Sequence, residues 1–183
     1  MKRTITLLFL LALCSTTAIQ AQAPAPKPDP ELKKLSVFVG HWTWEGEHKT
    51  GPGGPGGKLT GEWTGQMILG GFFFQGQTTE KWPQGEVGSL LIFGYDSVNK
   101  RFIGNWYLSD GSRLSGLLTV AGNAYTYAGK FLTPGKQYQY RWTFVVAPDL
   151  ASGTLKEESS VDGKTWTPVR DSQWTKVKSA AKK

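Results

Sequence analysis

Between residues 41 and 177, apolar and polar side chains alternate with a period of two, and turn residues break the pattern at regular intervals. The alternation runs through HWTWEGEH (41–48), KLTGEWTGQMIL (58–69), GFFFQGQTTEKW (71–82), GSLLIFGY (88–95) and RFIGNWYLS (101–109). It resumes in RLSGLLTV (113–120), AYTYAGKF (124–131), QYQYRWTFVV (137–146), GTLKEESSV (153–161) and TWTPVRDSQWTKV (165–177). Successive side chains of a strand point to opposite faces, so each run predicts a strand with one buried face. The separators are turn formers: DSVNK (96–100), Asp110-Gly111, Gly122-Asn123, Pro134-Gly135 and Asp162-Gly163. Asp-Gly between alternating runs is a strong hairpin signal, because a type I′ turn needs positive φ at both central residues. The first two strands are joined differently, by the long, flexible TGPGGPGG (50–57).

Ahead of the strands, Asp29-Pro30 reads as an N-cap followed by proline at the first helical position. The segment ELKKLSVF then places Leu32, Leu35 and Phe38 on one side of a short helix that Gly40 ends. About ten strands in sequential hairpins behind one short helix predict an all-β fold, an antiparallel up-and-down barrel. An immunoglobulin-like sandwich is the runner-up, but it uses fewer strands and longer crossing connections.

The ends of the chain change the picture of compartment and charge. Lys2 and Arg3 precede an apolar run from Ile5 to Leu13 and an Ala-Gln-Ala stretch at 21–23. That order predicts a secretory signal peptide over 1–22, cut after Ala21 or Ala23, and a periplasmic or extracellular protein. The apolar run is too short to anchor in a bilayer, and no later segment is apolar enough to span one. The sole cysteine, Cys14, follows Leu13 rather than the small residue a lipoprotein acylation site needs. The mature chain must therefore hold together by its core, without disulfides. Residues 23–30 read as a Pro-rich linker, 31–177 as the barrel domain and 178–183 as a basic flexible tail. Of the formal charge of +7, Lys2 and Arg3 contribute two and Lys176, Lys178, Lys182 and Lys183 four, which leaves +1 for the body. A nearly neutral body with basic ends argues against nucleic acid as a partner.

Gly40-His41-Trp42, placed after a short helix at the start of the first strand, is similar to the G-x-W signature of lipocalins and other calycin barrels. FVGHWTWEG, the glycine pair in MILGGFFF, FGYDSVNKRF and SSVDGKTW, in that order, resemble the bacterial domain of unknown function 1579 family. The likeness covers residues 31–176. It implies a lipocalin-like barrel and brings no assigned activity. The similar nitrobindin barrels hold haem through a histidine late in the chain. No histidine follows His48 here, so neither haem nor any other cofactor is expected.

With Trp42 inward, Trp44, Gly46 and His48 share its face, while His41, Thr43, Glu45 and Glu47 face out. His41 and His48, the only two histidines, then lie on opposite faces and roughly 23 Å apart, too far to share a metal. On other strands Trp63 and Met67, Phe72 and Phe74, Trp106 and Leu108, and Tyr125 and Tyr127 align inward. So do Tyr138, Tyr140, Trp142 and Phe144. Such faces either fill a small barrel or line an aromatic pocket.

Glu157 and Arg170 form the one charged pair of interest. A two-residue turn at Asp162-Gly163 would set Leu155 opposite Arg170 and Glu157 opposite Pro168, making Glu157 and Arg170 diagonal neighbours. Leu155, Val161, Trp166 and Trp174 would share their face, which points inward. Two roles stay open for the pair. The calycin likeness implies a late arginine packed over Trp42; alternatively the pair fixes a polar group of a ligand at the pocket floor. Asp96 reads as a turn cap, and no G-x-S-x-G, paired-carboxylate, phosphate-loop or CxxC motif is found.

The expected function is an exported barrel that binds a small apolar or aromatic ligand. The expected contacts are Trp44, His48, Trp106, Tyr140, Glu157, Trp166 and Arg170, and no residue is assigned as catalytic. The alternatives are a cavity enzyme using Glu157, Arg170 and His48 as acid and base, or a cell-envelope module stacking glycans on exposed tryptophans such as Trp82.

Overall fold

The computed structural model describes residues 25–50, 55–82 and 85–178. The expected signal segment, the end of the basic tail and half of the Gly/Pro connection lie outside these residues. Ten strands form a closed antiparallel barrel in which each strand pairs with its sequence neighbours, and the first closes on the last. They are β1 (Gly40–His48), β2 (Gly57–Ile68), β3 (Phe73–Trp82), β4 (Gly85–Asp96) and β5 (Arg101–Leu108). The second half comprises β6 (Arg113–Ala121), β7 (Ala124–Thr133), β8 (Lys136–Val146), β9 (Ser152–Ser160) and β10 (Thr167–Lys176). No helix among the described residues is long and apolar enough to cross a membrane.

The short helix, Pro30–Phe38, is of the 3₁₀ type. Leu32, Leu35 and Phe38 recur every three residues, which suits three residues per turn better than the α period. Asp29 caps it by accepting a hydrogen bond from the Glu31 N–H at 3.0 Å. This helix closes one end of the barrel as a floor. The Phe38 ring meets Tyr125 at 4.9 Å and Phe144 at 5.6 Å. The Tyr125 hydroxyl donates to the Lys34 carbonyl and the Trp63 indole N–H to that of Phe38, both at 3.1 Å.

The interior above the floor is largely filled. Rings from one strand lie flat on glycines of the next: a Cβ at Gly76 would stand 2.0 Å from the Trp63 ring, and one at Gly61 2.4 Å from Trp44. Only a residue without a side chain admits so close an approach.

The β9–β10 register differs from the sequence expectation. Asp162-Gly163 is not a two-residue turn but part of a loop from 161 to 166. The Asp162 carboxylate organises that loop, accepting from the Lys164 and Thr165 amides at 2.8 Å each and from the Ser160 hydroxyl at 3.0 Å. These bonds hold its pKa down at about 2. A bulge between Pro168 and Arg170 adds a second offset. Arg170 thus faces Glu157 directly, and Leu155 faces Ser172. Val161, expected inward, is 92% exposed.

Candidate functional site

At the far end of the barrel, opposite the floor, β1, β3, β5, β7 and β9 end and β2, β4, β6, β8 and β10 begin. Just inside it sits a buried ionic cluster. Arg170 of β10 donates through Nη1 to Glu80 Oε2 of β3 at 2.9 Å, and through Nη2 to Glu157 Oε1 of β9. All three side chains are at most 9% exposed. A guanidinium fork between two carboxylates is well matched in geometry, and its burial makes the pairing obligatory. Glu80 Oε2 also accepts from the Trp82 indole N–H at 3.1 Å. The Arg170 guanidinium lies over the Trp44 ring at 4.7 Å.

Charge inside this cluster is unevenly matched. Burial and the neighbouring Glu157 push the Glu80 carboxyl above its ordinary range, although Arg170 works the other way. Burial opposes the charge of Arg170, but the two carboxylates hold its pKa above its usual value. His48, paired with Arg170 across β1 and β10, is lowered by burial first and by the Arg170 charge second. Its ring packs against Trp82 at 4.7 Å, so it is a neutral, buried member of the rim. Tyr140 is raised well above its usual value by burial and by the Glu157 charge.

Between the cluster and the floor lies a cavity of about 60 Å³. Trp42, Trp63, Trp106, Trp142, Trp174, Phe38, Phe144, Leu91 and Leu155 line it, with Thr78, Glu80, Glu157 and Arg170 as its polar side. Trp106 is fixed by donating to the Ser89 hydroxyl at 2.7 Å. Three buried polar atoms of lining residues have no hydrogen-bond partner: Thr78 Oγ1, Trp42 Nε1 and Arg170 Nε. Buried polar groups without a partner carry a desolvation cost.

The structure divides the expected contacts. Trp106, Glu157 and Arg170 line the cavity. Tyr140 lies behind Trp106, ring to ring at 6.1 Å, and His48 sits at the rim. Trp44 is buried under Arg170, stacked on Trp174 at 5.5 Å, and does not line the cavity. Trp166 is on the outer face, beneath the Arg141 guanidinium at 4.0 Å, because the longer β9–β10 loop takes it out of the inward register. The cation over Trp42 is Lys176, at 5.2 Å, rather than the Arg170 that the calycin likeness implied. Six residues of β10 separate the two positions, too far for one arginine to span. None of the eight tryptophans is exposed, and Trp82 is turned inward onto Glu80, which removes the basis for a glycan-stacking row.

Sequence reasoning missed Glu80 and Thr78. Alternation from the buried Phe74 puts Gly76, Thr78 and Glu80 on one face, so the signal was present in the period itself. Among the described residues, no group of three or more His, Cys, Asp or Glu side chains is placed to hold a metal.

A family model described as a protein of unknown function (DUF1579) matches residues 27–175. Among solved structures, Rv2717c from M. tuberculosis superposes with a TM-score of 0.59 at 13% identity, over 83% of this chain and 100% of that one. That likeness is one of fold. A de novo designed fluorescence-activating β-barrel covers 78% of this chain and 96% of its own, with a TM-score of 0.40 and 14% identity. No curated protein matches the chain.

Proposed function

The chain belongs to the DUF1579 family, and from its own geometry we propose that it is an exported barrel that binds a small ligand in its interior. One observation carries this reading: an aromatic cavity whose polar side ends in a buried ionic cluster and three unpartnered polar atoms. Each of those atoms costs about 1–3 kcal/mol when unsatisfied. The ligand combines an apolar body, held by the indole and phenyl faces, with a polar end at Thr78, Glu80 and Arg170.

Size limits it. An engineered cavity of about 150 Å³ is what takes benzene, and this one is smaller. The expected aromatic ligand is therefore replaced by one of a few non-hydrogen atoms. Export rests on the charged, apolar and small-residue order of residues 1–22.

The test is ligand-observed NMR on the mature chain with fragments of up to about six non-hydrogen atoms, beside a Leu155→Phe variant that fills the cavity. The reading predicts binders that the variant loses, at an overpacking cost of about 1–3 kcal/mol. Binders retained equally by the variant, or none at all, would overturn it.

A further inference from the structure

We propose that the occupant of this cavity is a small organic cation, a protonated amine, seated between the tryptophan faces and the acidic edge formed by Thr78 and Glu80. The inference rests on the interior-binding reading and names its ligand class. Its first support is the charge count. Two buried carboxylates, Glu80 and Glu157, share a single guanidinium. The remaining cation on an inward position, Lys176, is half-buried at the floor end, six residues along β10 from Arg170. One negative charge at the mouth end is thus left to a proton or to a bound cation.

The second support is geometric. Thr78 and Glu80 are two residues apart on the inward face of β3, so both side chains belong to the same wall of the cavity. The Thr78 hydroxyl has no partner. Glu80 uses Oε2 for both Arg170 and Trp82, and Oε1 makes no hydrogen bond among the described residues. An ammonium group can donate one N–H to each of these acceptors. Around them, the N–H groups of Trp63 and Trp106 are bonded elsewhere, to Phe38 O and Ser89 Oγ, so both indoles meet the cavity with ring carbons rather than a donor. Indole faces attract cations, and this barrel already uses three that way, with Arg170 over Trp44, Lys176 over Trp42 and Arg141 over Trp166.

Binding is linked to protonation. The groups facing Glu80 are Arg170 of β10, Glu157 of β9, Tyr140 of β8, His48 of β1, and Thr78 and Trp82 of its own strand. Burial holds Glu80 towards its neutral form. A cation and a proton compete for that carboxylate, so cation affinity rises with pH until Glu80 is ionised. By reciprocity a saturating cation lowers the Glu80 midpoint. A neutral ligand with a carbonyl acceptor would use the unpartnered Trp42 and Arg170 N–H groups instead and show neither effect.

The experiment is an indole N–H titration by ¹H–¹⁵N NMR on the mature chain, with ethylammonium as probe and the isosteric ethanol, together with acetone, as neutral comparisons. A three-heavy-atom ligand has a ceiling near a dissociation constant of about 1 mM. Ethylammonium is expected to move the Trp63 and Trp106 indole signals saturably, about 10-fold or more tighter than ethanol at pH 8. Its affinity should fall about 10-fold per pH unit below the Glu80 midpoint, read from the Trp82 indole N–H. Glu80→Gln should abolish the preference for the cation. The isosteric Thr78→Val should weaken it several-fold, and serves alone if the first variant does not fold. Ethanol or acetone binding as tightly as ethylammonium, or cation affinity independent of pH, would overturn this inference and leave interior binding standing. Failure of every probe to bind would overturn both.

Discussion

Arg170 reaches from β10 across the barrel to β3, and its two nitrogens neutralise carboxylates that are 77 residues apart in the chain. Removing the guanidinium would leave two buried acids facing each other without a partner. Arg170→Met is therefore expected to cost about 3–5 kcal/mol, measured by urea denaturation at pH 7. Glu80 gives the opposite pH signature to most carboxylates. Its folded pKa lies above the value near 4.5 that it has when unfolded. Its contribution to stability is thus fully present below about pH 4.5 and is lost as pH rises through the folded pKa. Glu80→Gln keeps the amide oxygen as an acceptor and carries no charge. The variant should gain stability relative to the native protein as pH is raised from about 4.5 to 8, and a constant difference would refute this. The Glu157–Arg170 half of the cluster was legible in the sequence, although the register that paired them there did not hold: the longer loop that should have separated them is offset by the bulge beside Pro168. Glu80 fell on the inward face by period alone, but its charge argued against burial. Only the partner on β10, distant in sequence, makes an inward glutamate tolerable.

At the scale of strands and turns, the period-two pattern located all ten strands, because one face of every strand is buried. The one hairpin whose register failed is also the one with compensating irregularities. Asp162 builds a six-residue loop from side-chain bonds, and a bulge beside Pro168 restores the inward face for Arg170. Neither device alters the alternation of residues, so the sequence pattern carries no mark of them. Glycines within the strands are the counterpart of the tryptophans. Gly76→Ala would drive a methyl group into the Trp63 ring, which is held from behind by its bond to Phe38 O. The expected cost is at least about 1–3 kcal/mol by chemical denaturation, with altered tryptophan fluorescence. The same change at Gly111, whose added Cβ would meet nothing within 4 Å, should leave that fluorescence alone.

The molecule is a barrel stoppered at one end by the short helix, with a buried ionic cluster just inside the other. The floor depends on Phe38, whose ring joins Phe74, Tyr125, Trp142 and Phe144. Phe38→Ala should cost about 3–5 kcal/mol in a thermal or urea melt and enlarge the cavity from below. Whether the interior was open or filled could not be read from composition. It depends on how rings and glycines interlock across strands, and the answer is a filled barrel with a small residual space. The claim that this space seats a small cation meets its most direct test in a crystal structure of the protein grown with ethylammonium. The account predicts density for the ion within hydrogen-bond distance of Thr78 Oγ1 and Glu80 Oε1, against the faces of Trp63 and Trp106. A cavity that stays empty or is closed by repacked side chains, with the ion absent or bound only on the outer surface, would contradict it.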